Sequence, residues 1–156
     1  MKPILLVISN PKWTQKAMHI ACQLANNTKS PLVLLDFRLT HNVGGLGQGA
    51  YQHPNYQEHF ALRDYHLIAE EYGLEVTIQP VEYESFHDVM IQIVDEFDGT
   101  VVFAQPPKSI IPFWSQFTLW QLQHELAKMN CRLYTLENER DTAETWLPKI
   151  KAFMNK

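Results

Sequence analysis

The sequence predicts an α/β fold: a doubly wound five-stranded parallel sheet with helices on both faces and an extra C-terminal helix. Short apolar runs alternate along the chain with longer stretches of helical periodicity. Most of those runs are unbroken rather than alternating, as expected of strands covered on both faces. Strict alternation of strand and helix implies a parallel sheet with right-handed crossovers. With 156 residues, 46% of them hydrophobic, the chain is expected to form one domain, 1–156, in which 137–156 is a C-terminal extension carrying the added helix.

Ile4-Leu5-Leu6-Val7-Ile8 is the first strand, bounded by Ser9-Asn10-Pro11. Thr14 is expected to cap the helix that follows, in which Ala17, Ile20, Ala21 and Leu24 recur at helical spacing. Asn26-Asn27 weakens that helix, and Ser30-Pro31 excludes its continuation. Leu32 to Leu35 is a second buried strand that runs on through Asp36 and Phe37. From His41 to about Tyr56 the chain is irregular and holds Gly44, Gly45, Gly47, Gly49 and Pro54. Helical periodicity returns with Ala61, Tyr65, Ile68, Ala69 and Tyr72, and Gly73 supplies a stop. A third strand surrounds Val76 and Ile78. Pro80 lies inside it and has no amide hydrogen for a ladder, so this strand is expected at an edge.

Ser85 caps the next helix, with Asp88 three residues on; Phe86, Val89, Met90, Ile93, Val94 and Phe97 form its apolar stripe, and Gly99 ends it. Thr100 to Ala104 is the fourth strand. A helix from about Ser115 to Met129 aligns Leu119, Leu122, Leu126 and Met129. Cys131 to Leu136 is the fifth strand. Thr142 opens the last helix, with Trp146, Leu147, Ile150, Phe153 and Met154 on one side.

Composition excludes several functions. A net charge of −4 gives no footprint for nucleic acid or an anionic membrane. No apolar run approaches the roughly 20 residues of a membrane span, and the first eight residues are too short for a secretory core. A cytoplasmic location is expected. Cys22 and Cys131 cannot supply a disulfide scaffold or a four-cysteine metal site, and are expected as small core residues.

In rhythm, roughly Lys2 to Leu136 resembles the universal stress protein family. The resemblance rests on Ile4 to Ile8, the turn and helix after it, and Leu32 to Phe37. It continues in Gly99-Thr100-Val101-Val102-Phe103, followed by a loop, a helix and Cys131-Arg132-Leu133-Tyr134-Thr135-Leu136. It implies strand order 3-2-1-4-5, which puts the Pro80 strand at an edge. Nucleotide-binding members carry G-x-x-G, nine residues, then G-S or G-T after the fourth strand. Those glycine positions fall here on Ala104, Pro107 and Phe117, and only Thr118 is kept. The aspartate usual after the first strand falls on Ser9. A glycine-rich turn holds phosphate with bare backbone N–H groups. Pro107 has no N–H to offer, and Phe117 puts a ring where phosphate needs close approach. The resemblance therefore implies the fold without ATP or another cofactor. It also implies a homodimer through an open fifth strand. The apolar face of the last helix would then cover its own sheet edge or pack across the twofold.

In such sheets a ligand binds beyond the carboxyl ends of the central strands. Ser9, Asn10, Phe37 and Gln105 are therefore the expected cleft residues, with Lys108 and Thr118 completing the candidate set. Lys108 would meet an anionic ligand or point into solvent. Pro106-Pro107-Lys108 and the aromatics Phe113, Trp114, Phe117 and Trp120 occupy the place of the triphosphate. They are expected to fill and close the cleft; an apolar ligand pocket or a partner-binding surface is the alternative.

Other motifs are weaker. The Gly44–Gly49 pattern lies about a dozen residues from the next helix, so a flexible insertion is expected, with a flap over the cleft as alternative. His53, His59 and His66 are expected in solvent rather than as metal ligands. There is no G-x-S-x-G, and Glu70-Glu71 and Asp95-Glu96 diverge around their helices instead of forming a dyad. Two functions remain. One is a non-enzymatic universal-stress-like protein acting through dimerisation and partner binding in a stress setting. The other is a small-molecule or nucleotide sensor, or an enzyme, using a remodelled cleft.

Overall fold

The computed structural model describes residues 1–40, 56–106, 112–136 and 143–154. Its strands are β1 (Ile4–Val7), β2 (Leu32–Leu39), β3 (Val76–Tyr83), β4 (Val101–Phe103) and β5 (Arg132–Tyr134). Its helices are α1 (Pro11–Thr28), α2 (Tyr56–Glu71), α3 (Phe86–Phe97), α4 (Pro112–Lys128) and α5 (Ala143–Met154). All strand pairs are parallel, in the order β3-β2-β1-β4-β5. This is the expected doubly wound sheet, with β3 and its Pro80 at one edge.

The unbroken apolar runs divide by period two between the two faces. Ile4, Leu6, Leu32, Leu34, Val101 and Phe103 meet α1, with Tyr65 and Ala69 of α2. Leu5, Val7, Val33, Leu35 and Val102 meet Val89, Met90, Ile93 and Val94 of α3 and Leu122 and Leu126 of α4. Burial on both faces explains why these strands do not alternate polar with apolar.

Helix ends follow local chemistry, with two departures from expectation. Asn10, not Thr14, caps α1: its side chain accepts from the Lys12 N–H at 2.9 Å, and Pro11 takes the first helical position. Thr14 is buried in the first turn, where its Oγ1 accepts from the Ser9 N–H at 2.9 Å. α1 runs through Asn26-Asn27 to Thr28 and closes on Lys29 in the left-handed region, φ 57°, ahead of Ser30-Pro31 as expected. Ser85 caps α3 by accepting from the Asp88 N–H. At the other end Asp98, φ 51°, makes the left-handed turn. Gly99 instead admits the core: a Cβ there would lie 2.8 Å from Leu5 Cδ1. Gly73, φ +69°, follows α2 and closes it as expected.

The helix expected to open at Thr142 is present from Ala143, while Thr142 itself lies outside the described residues. α5 packs on α1 of its own chain. Ile150 is fully buried in the layer that holds Tyr134 and Leu136, with Leu147 against it. The Arg132 guanidinium sits 4.1 Å above the Phe153 ring, tying α5 to β5. The side chains of Trp146 and Met154 lie outside the described residues.

Candidate functional site

β1 ends at Val7 and α1 begins at Pro11, so the intervening turn crests the sheet beside the end of β4. The longer strands β2 and β3 rise past it. The step between them leaves a cleft of about 360 Å3. Val7, Ile8, Ser9 and Asn10 line it from the turn, Phe37 and Tyr83 from the long strands, Phe86 from α3, and Gln105 and Pro106 from beyond β4.

The walls differ in chemistry. One is aromatic: Phe37 lies 5.3 Å from Tyr83 and 6.0 Å, edge-on, from Phe86. The other is polar and uncharged. Ser9 Oγ donates to Gln105 Oε1 at 2.9 Å, bridging the tips of β1 and β4. The Ala104 N–H donates to the Tyr134 carbonyl at 3.2 Å. The Ile8 N–H likewise donates to the Leu35 carbonyl at 2.9 Å. Such a cleft suits a flat, uncharged group that stacks on one wall and exchanges hydrogen bonds with the other. Ser9 donates to an amide carbonyl, which is not the base that would activate a serine nucleophile.

The structure thus brings Ser9, Asn10, Phe37 and Gln105 together. Lys108 and Pro107 lie outside the described residues, as do the 44–49 glycines, His53 and the side chain of His59. Thr118 is not in the cleft wall. Its hydroxyl donates within α4, to the carbonyls of Trp114 at 3.0 Å and Ser115 at 3.1 Å. Tyr83 and Phe86 are cleft residues that the sequence reading missed. Their signal was position, since both flank the carboxyl end of β3, beside the end of β2 that carries Phe37.

The α4 aromatics do not fill the cleft. Phe113, Trp114, Phe117 and Trp120 are 78%, 56%, 46% and 60% exposed, because Leu119, Leu122 and Leu126 take the inward positions. His87 Nε2 and Glu125 Oε2, 2.9 Å apart, join α3 to α4. Among the described residues no three His, Cys, Asp or Glu side chains are grouped to hold a metal. No described helix is long and apolar enough to cross a membrane.

Cys22 and Cys131 are buried free thiols, and burial pushes each up to about 12. An unfolded thiol ionises near about 8.5. The folded chain therefore holds these protons to higher pH, and its stability should be complete below about pH 8.5 and decline as pH rises above that. A thiol reagent at pH 8 should label neither cysteine in the native protein and both in denaturant. Rapid native labelling would contradict their burial.

No family model matches the chain, and no curated protein matches it. Solved structures do. A universal stress family protein from Burkholderia pseudomallei is 14% identical over 88% of this chain and 96% of its own, with a TM-score of 0.63. A universal stress protein from Archaeoglobus fulgidus in complex with dAMP is 14% identical over 85% of this chain and 95% of its own, at 0.57. A universal stress protein in complex with cAMP is 12% identical over 85% and 94%, also at 0.57. At these identities the likeness establishes the fold: this chain has the universal stress protein architecture.

Proposed function

We propose that this chain is a non-enzymatic, cytoplasmic protein of universal stress type. It acts in a stress or regulatory setting, through homodimerisation and contact with a partner, and does not bind ATP in the manner of the nucleotide-binding members. The observation that supports this most is the state of the strand tips. Where a phosphate cradle needs free backbone N–H groups, the Ala104 N–H is given to Tyr134, and Ser9 and Gln105 bond to each other. Pro107 and Phe117 then stand where the glycine pattern would continue.

A second reading has its own support. The cleft has the size of a small-ligand site and an aromatic wall, and two proteins of similar fold were solved with cAMP and dAMP. In that reading the chain is a sensor for a nucleoside-like ligand, held by stacking rather than by phosphate contacts.

Calorimetry separates the readings. Mg-ATP, AMP and adenosine should all give no saturable heat in the micromolar range. Saturable heat with adenosine and AMP alike, lost in Phe37→Ala, would establish the second reading. Mg-ATP binding that is tighter than adenosine binding and lost in Gln105→Ala would overturn the proposal.

A further inference from the structure

We infer that the exposed aromatic face of α4 is the surface on which a second copy of this chain docks, helix against helix across a twofold axis. The inference deepens the homodimer reading proposed above and rests on it.

Phe113, Trp114, Phe117 and Trp120 stand on the side of α4 opposite the buried Leu122 and Leu126. Trp114, Phe117 and Trp120 form an ordered row. The ring centroids are 5.9 Å apart from Trp114 to Phe117 and 6.3 Å from Phe117 to Trp120, and His124 stacks on Trp120 at 5.5 Å and 11°. Rings held against one another lose little freedom when covered, and aromatic side chains dominate interface centres.

Charge selects the occupant. Residues 112–123 contain no Asp, Glu, Lys or Arg, although an exposed helix face ordinarily carries them. A face without charge offers no complementarity to a basic or an acidic partner, and two such faces meet without repulsion. A twofold contact requires that self-complementarity, because the same patch is used twice.

Area agrees. A large aromatic side chain buries roughly 150–250 Å2. At the observed exposures the four rings offer roughly 400–600 Å2 per copy, in the upper part of the range for the largest apolar patch of a monomer, a patch that often serves function. Two copies would bury roughly 800–1,200 Å2, which reaches the lower range of specific interfaces before any flanking residue is added. The face also continues toward the open edge of β5. Trp120, Gln123 and Ala127 share one flank of α4, and the latter two line a groove of about 350 Å3 along Arg132 to Thr135. A copy seated on α4 extends its cover along that groove.

Sedimentation velocity on the full chain tests this. The unaltered protein should be a dimer at tens of micromolar. Phe117→Glu with Trp120→Glu, at outward positions, should leave the thermal unfolding temperature in place and weaken dimerisation by at least roughly a hundredfold. A double variant that stays an equally tight dimer would overturn the α4 face and leave the homodimer standing. An unaltered chain that stays monomeric would overturn both. Should the glutamates disturb folding, Phe117→Cys decides instead. Under mild oxidation it should link two copies, while Gln92→Cys on exposed α3 should not. Failure of the Phe117→Cys link would also overturn the α4 face.

Discussion

Ile150→Asp should cost the folded chain at least about 3–5 kcal/mol, because it puts an unpaired carboxylate where a side chain is fully buried. Pro148 lies inside α5 and removes one intrahelical hydrogen bond. Among the helix's described side chains, Ile150 and Leu147 are the ones that enter the core layer against α1, with the Arg132–Phe153 contact beside them. Urea unfolding should show the loss as a lower midpoint, and Ile150→Val should cost only about 0.5–1.5 kcal/mol. If the aspartate variant unfolds at the same midpoint as the parent, α5 is no part of the core.

Phe103→Ala should remove about 3–5 kcal/mol, a large share of the roughly 5–15 kcal/mol that holds a domain of ordinary size. Phe103 is fully buried on β4, in register with Leu6 on one side and Tyr134 on the other, and its ring lies 5.8 Å from that of Tyr134. β5 is three residues long and, among the described residues, pairs only with β4. Loss of the ring should therefore loosen β5 first. Hydrogen exchange at Leu133 and Tyr134 should accelerate more than at Leu5 or Leu6. Uniform acceleration would mean that β4 and β5 open together with the whole sheet. Phe103→Leu should cost less than about 1.5 kcal/mol.

The sheet was legible in the chain because its strands are unbroken apolar runs and its helices keep period 3.6. Pro80 alone was enough to place β3 at an edge. Helix starts were harder, since Asn10 and Thr14 are both capping residues and only the position of Pro11 favours the first. Four cleft residues followed from topology. Tyr83 and Phe86 did not, because their place depends on how far β2 and β3 outrun β1. The α4 aromatics were misplaced for a different reason. That helix carries two apolar stripes, one of leucines and one of rings, and periodicity cannot say which one faces the sheet. The absence of charge from residues 112 to 123 was visible and fits an exposed face made for a partner.

Pro80 also bears on how the native chain behaves when crowded. A sheet with two receptive rims can add strands without end and grow into a filament. β3 has the length for this, eight residues, but Pro80 interrupts its outer rim midway with a missing donor. The opposite rim is only three residues long. Both described rims are therefore poor templates for a fibril, and an association that used α4 about a twofold would close on itself after two copies. Aggregates that form on heating should therefore come from opened molecules, not from stacking of folded ones.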